Sequence, residues 1–238
     1  MKNSKKLLAF LSLGMLLCAC SKSENVEIAD LGEMNNTNQN RSPELADVDL
    51  ISGQLNWETA RSDNDRMTEI LNMGNSFSFE NVGWDTVGNV YGFPVISETN
   101  EFGFYFVHES DVGDETKYVY VTVNDGFQNN YPEELSMEEE GETAVSWLDA
   151  DTRIADWIDE TERSGWIEIK TEETAENPGA GVFTYMLIPA IDFENGSEHN
   201  CFLALKNGMI DLIVINGVGE LYEYKDVSLP VPPFVPNN

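Results

Sequence analysis

Basic side chains are scarce in this 238-residue sequence: 13 Lys and Arg stand against 43 Asp and Glu, for a net charge of −30. Nucleic-acid backbones are held by Lys and Arg patches, so a nucleic-acid partner is excluded. Histidine is scarcer still. His108 and His199 are the only two, a poor stock for zinc sites or acid–base relays. No CxxC or HExxH spacing occurs, and neither an internal repeat nor a heptad run is present. What the chain does hold is apolar material, at 41% of residues with 11% aromatic. That suffices for a sizeable core and argues for one domain rather than a disordered chain.

The N-terminus carries an address. Lys2, Lys5 and Lys6 precede an apolar run over residues 7–17, and a small residue, Ala19, stands before Cys20. This is the layout of a secretory signal, too short for a stable spanning helix. The segment Leu17-Cys18-Ala19-Cys20 resembles the lipobox of bacterial lipoproteins, and Bacteroides-type envelope lipoproteins in particular. The resemblance covers residues 1–20 and implies cleavage after Ala19, diacylglycerol on the Cys20 sulfur and an acylated new N-terminus. Several acyl chains on one residue anchor stably where a single chain does not. Ser21 stands where the family's inner-membrane retention signal places Asp, so the expected location is the outer membrane of the cell envelope. All 43 acidic residues follow Cys20 while three of the 13 basic ones precede it, so the mature chain has a net charge of −33. With Cys18 removed and Cys20 acylated, Cys201 is left alone and no intramolecular disulfide can form. Stability must come from burial.

Residues 20–47 comprise the acylated Cys and a polar stretch with no apolar period, read as a tether. Residues 48–238 are expected to form a single α+β domain. Strands are expected at 89–97, 102–108 and 117–124, each rich in Val, Ile, Phe and Tyr and bounded by turn residues. In the third, Val119, Val121 and Val123 share one face, and Tyr118, Tyr120 and Thr122 the other. Pro94 argues for placing the first at a sheet edge. Strands at 201–206 and 209–215 flank Asn207-Gly208, a dipeptide suited to a two-residue hairpin turn, and 220–225 completes a C-terminal β-meander. Further strands are expected at 166–170 and 181–189. Two amphipathic helices are expected, at 58–73 and about 136–163. Ser136 and Glu139 have capping-box spacing at the start of the second, and Gly165 is its stop. Four prolines within 227–238 make that end an extended strap. The whole reads as a predominantly antiparallel sheet with two amphipathic helices.

The search for chemistry is sparser. His199 and Cys201, two apart, point from one face of a strand, which fits a buried thiol beside a turn-proximal His better than a nucleophilic pair. Asp149-Ala-Asp151 begins like a calcium loop, but Arg153 occupies the next ligand position and the Gly is missing. No metal site and no cofactor are expected. Gly217-Val218-Gly219 lacks the Lys of a phosphate loop and reads as a turn. Asn195-Gly196-Ser197 is a chance sequon in a turn. Asp85-Thr86-Val87 resembles the Asp-Thr-aliphatic signal at which some Bacteroides-type bacteria O-glycosylate exported proteins, which makes Thr86 a candidate. Of the tryptophans, Trp147 and Trp166 fit a core, while Trp57 and Trp84, beside turn-like segments, are candidates for a contact surface.

The expectation is therefore a membrane-anchored, non-catalytic binding or interaction domain, whose partner is a basic protein or a glycan. Two other classes stay open: an envelope hydrolase working through carboxylates on glycan or peptide, and an inhibitor or immunity-type lipoprotein. The anchor is directly testable. Cys20→Ala should release the protein from membranes or leave its signal uncleaved, and a palmitate analogue should label the wild type only. Equal labelling of both would remove the lipidation assignment.

Overall fold

The computed structural model describes residues 49–131, 144–218, 221–226 and 229–231. The expected signal, Cys20, the tether and the Ser136–Glu139 capping box lie outside them. Each helix begins where a short polar side chain can accept a free backbone N–H. Asp49 caps α1 (Leu50–Ala60) and Asp63 caps α2 (Asn64–Leu71) through Arg66 N at 3.0 Å. The single helix expected at 58–73 is therefore two, because the Asp63 carboxylate starts a new one three residues after the first ends. Ser146 caps α3 (Trp147–Ile158), and Asp159 caps α4 (Glu160–Glu176) by accepting from Thr161 and Glu162 N–H.

The strand expected at 166–170 lies inside α4, and Gly165 is mid-helix rather than a stop. The reason is the buried set Arg163, Trp166, Ile167, Thr171 and Thr174. Its spacing is that of one helical face, which a short run such as Trp-Ile-Glu-Ile cannot reveal by itself.

Among the described residues nine strands form two sheets: β1 (Ser76–Glu80), β2 (Asn89–Ile96), β3 (Phe102–His108), β4 (Val119–Thr122), β5 (Tyr185–Pro189), β6 (Glu198–Lys206), β7 (Met209–Val218), β8 (Leu221–Lys225) and β9 (Leu229–Val231). The first sheet has order β1-β6-β7-β8, the second β4-β3-β2-β5-β9, with antiparallel pairing throughout both. The fold is α+β, and β6-β7-β8 is the expected meander. Asn207 and Gly208 both take positive φ, 54° and 74°, as its first turn requires. Pro94 does not mark an edge strand, since β2 lies between β3 and β5. However, β5 pairs only with Asn89–Gly92, so Pro94 falls where β2 has a single strand partner. There α1 packs beside it, with the Asn56 amide donating to the Ile96 carbonyl at 3.0 Å. Proline is tolerated because the edge is local.

The sheets pack face to face. Phe77 and Phe79 of β1 meet Phe104 and Phe106 of β3 at ring-centroid distances of 5.3–5.7 Å. Cys201, Leu203 and Leu205 of β6 and Leu212 and Val214 of β7 join this core. The alternate residues, Phe202, Ala204, Ile213 and Ile215, point the other way and are covered by Ala150 and Ile154 of α3. Buried on both faces, these two strands carry the apolar runs Cys201–Leu205 and Leu212–Ile215. The helices α2 and α4 add Met67, Ile70, Trp166 and Ile167 to the inter-sheet core.

Gly92 makes room for this interlock: a Cβ there would come within 2.7 Å of the Phe106 ring. Gly92→Ala should therefore cost about 1–3 kcal/mol through overpacking, read as a lower urea midpoint at unchanged slope. An unchanged midpoint would show that Phe106 yields without strain.

Candidate aromatic face

With Phe102, Phe104 and Phe106 turned inward, the pleat of β3 must send Gly103, Tyr105 and Val107 to the other side. The same alternation in β2 places Tyr91 and Phe93 there, in β5 Tyr185 and Leu187, and at β4 Tyr118, Tyr120 and Thr122. Register then aligns the rings. Tyr105 stands opposite Phe93 on one side and Tyr120 on the other. Tyr185 lies 5.9 Å from Phe93 and 5.6 Å from Tyr91, which is itself stacked on Phe93 at 6.0 Å. Tyr105 and Tyr120 rings approach to 4.8 Å, and Tyr118 stands edge-on to Tyr105 at 6.4 Å. Six half-buried aromatic rings thus pave one sheet face across four strands.

Gly103 shapes this pavement. A Cβ there would reach 2.9 Å from the Tyr120 oxygen and 3.1 Å from its ring, so Tyr120 leans across the glycine. Burial raises the pKa of Tyr120 and of Tyr185, with the nearby Glu101 adding to it at Tyr120. Both hydroxyls can donate as well as accept.

The candidates expected from sequence lie elsewhere. Trp57 is a correction: it is 1% exposed, stacks on Phe102 at 5.4 Å and donates its indole N–H to the Phe183 carbonyl at 2.9 Å. It offers no contact surface. Trp84 is half-buried and packs on the inter-sheet core through Phe79 and Phe193, away from the tyrosine face. Thr86 is half-buried in the loop between β1 and β2. Asp85 accepts from Val87 N–H in that loop, and the Val87 carbonyl accepts from His108 Nε2 at 2.9 Å. His108 is thereby a pin for the loop. Asn195 donates to Glu223, and Asp149 and Asp151 lie on α3, with Arg153 and Tyr131 as partners.

His199 and Cys201 do share a face of β6, and both are fully buried. Burial pushes the Cys201 thiol far above its ordinary range. Asn216 is oriented by donating its amide to the Asp192 carbonyl, so its oxygen accepts from His199 Nδ1–H at 2.7 Å. Nε2 is then the unprotonated nitrogen, buried without a hydrogen-bond partner between the Phe79 and Phe193 rings. This geometry gives the thiol no base.

Among the described residues, surface hollows of about 260, 520 and 530 Å³ are lined by residues outside the tyrosine face. Trp166 and Lys170 border the first two, and the third includes Asp63, whose carboxylate is engaged in capping α2. Backbone N–H groups hold Asp159 low and the Thr116 hydroxyl holds Asp114 low, while at Asp226 hydrogen bonds from Lys206 and Arg153 outweigh burial. Compared with protein-family models, curated proteins and solved structures, the chain matches none.

The tyrosine face was only partly legible. Tyr118 and Tyr120 declare a face by alternation. Tyr105 does not, because β3 is apolar on both faces, and Tyr91, Phe93 and Tyr185 join it only through register.

His199 has a pH consequence. Burial lowers its folded-state pKa below the ordinary 6.5, so the folded chain binds fewer protons than the unfolded one. Its stabilising contribution is complete above the unfolded pKa and is lost as pH falls below about 6.5, by ~1.4 kcal/mol per unit of separation. Melting curves of wild type and His199→Gln should diverge in that window, with the wild type losing more. Parallel curves would show that protonated His199 is accommodated.

Proposed function

We propose that this chain is a lipid-anchored binding domain of the bacterial cell envelope, tethered through Cys20 to the outer membrane. Its tyrosine-lined sheet face meets the partner, and it acts without catalysis. The observation that carries the reading is a pair of aromatic clusters, Tyr185–Tyr91–Phe93 and Tyr105–Tyr120–Tyr118, brought side by side by the register of Phe93 opposite Tyr105, on a face that the inter-sheet core does not need. Aromatic rings with polar tips are the surface groups that bind best, since each buries a large area at a small cost in side-chain freedom. Among the described residues no helix is long and apolar enough to cross a membrane, so the lipid on Cys20 serves as the membrane attachment in this reading. Thr86, in the loop before β2, is a proposed O-glycan acceptor on the same exported domain.

Hydroxyl-radical footprinting tests the face without assuming a ligand. Oxidation of Tyr91, Phe93, Tyr105 and Tyr120 should fall several-fold on intact envelopes relative to the purified protein, while Leu148, exposed on α3, is oxidised equally in both. Equal oxidation of the four aromatics in both states would rule out the face as the contact surface.

A further inference from the structure

Resting on that reading of the tyrosine face, we propose that its occupant is an uncharged polysaccharide chain lying across the strands of the five-stranded sheet. The row that decides this is Tyr185, Phe93, Tyr105 and Tyr120, one ring from each of β5, β2, β3 and β4. Neighbouring strands are ~4.8 Å apart, so four strands place their rings over ~14 Å, a span suited to about three to four pyranose units in line. A pyranose presents a flat C–H face to an aromatic ring and hydroxyls around its rim. Tyrosines supply both complements: ring faces for stacking, and O–H groups that can donate and accept.

Charge narrows the class. The same stacking geometry serves single-stranded nucleic acid, but only with a basic groove to hold the backbone, and 43 acidic residues against 13 basic ones provide the opposite. Acidic glycans are repelled for the same reason. Several of the few cations are also consumed inside the fold. Arg61 and Arg163 are 2% and 3% exposed and hydrogen-bond to the main-chain carbonyls of Val182, Trp157 and Ile158. A bound peptide would use either a groove for its side chains or a free strand edge. The ring row lies on a sheet face, apart from the three hollows. A glycan lying flat fits that geometry better.

The test is native affinity electrophoresis of the purified protein through gels containing hydroxyethyl-cellulose, mixed-linkage β-glucan, mannan or soluble starch. Alginate and polygalacturonate serve as acidic comparators. At least one uncharged polysaccharide should retard the wild type and neither acidic one should. Tyr105→Ala and Tyr120→Ala should each weaken that retardation about tenfold, as expected for central aromatic anchors. Tyr105→Phe, which keeps the ring, should retain most of it, and so should Leu148→Ala on α3. Ring-proton shifts of Tyr91, Tyr105 and Tyr120 in the wild type, on adding an oligosaccharide of the retained glycan, give the same answer even if an alanine variant fails to fold. Retardation by none of the uncharged polysaccharides, or by the acidic ones only, overturns the glycan proposal. The face would still stand as a contact surface if envelopes protect it from oxidation. Retardation that survives in Tyr105→Ala and Tyr120→Ala, with unmoved ring signals, would place the glycan elsewhere and overturn the reading of the face itself.

Discussion

Phe77 and Phe79 on one sheet and Phe104 and Phe106 on the other form the contact to which the remaining architecture answers. Among the described residues no disulfide supports the fold, Cys201 being free and buried, so inter-sheet burial supplies the main driving force there. It has a geometric corollary. Once the even-numbered residues of β3 are committed to the core, Tyr105 has only the opposite face available, and the register of β2 and β4 assembles the other rings around it. The candidate binding face is the reverse side of the core.

The two sheets spend their second faces differently. The four-stranded sheet buries Phe202, Ala204, Ile213 and Ile215 under α3, which accounts for the consecutive apolar residues 201–205 and 212–215 of β6 and β7. The five-stranded sheet pairs an apolar inner face with rings that each carry a polar atom, apart from Phe93. That composition suits a surface that is wet when free and can be covered when bound.

Basic residues are used for architecture. Arg163 reaches from α4 to donate to carbonyls at the end of α3, and lies 4.1 Å over the Phe127 ring. Arg61 binds the Val182 carbonyl and Glu58. Arg153 joins Asp149, Asp211 and Asp226 between α3 and the meander. The buried charges described balance, Arg61, Arg163 and Lys225 against Asp192, Asp211 and Asp226, so the excess of acidic residues stays at the surface and shapes which partners can approach.

Local patterns in the sequence were sufficient for several elements, because each is decided by near neighbours in the chain. Asn207-Gly208 sets its own turn through backbone freedom, and the alternating Val119-Tyr120-Val121 declares two faces. The β2 and β3 strands end at turn residues that are visible without a structure. Other features depended on contacts far along the chain. Residues 166–170 became helix because Asp159 caps α4 and because Trp166 and Ile167 pack with α2, not because of their own short apolar run. Pro94 could sit in a central strand only because α1 takes the place of β5 beside it. Trp57 was drawn into the core by Phe102 and Phe183, 45 and 126 residues away in sequence. Periodicity tells which side chains share a face, but where both faces are apolar it cannot tell which one is buried. For β3 that choice was made by the packing of one sheet on the other, and with it the position of every ring on the tyrosine face.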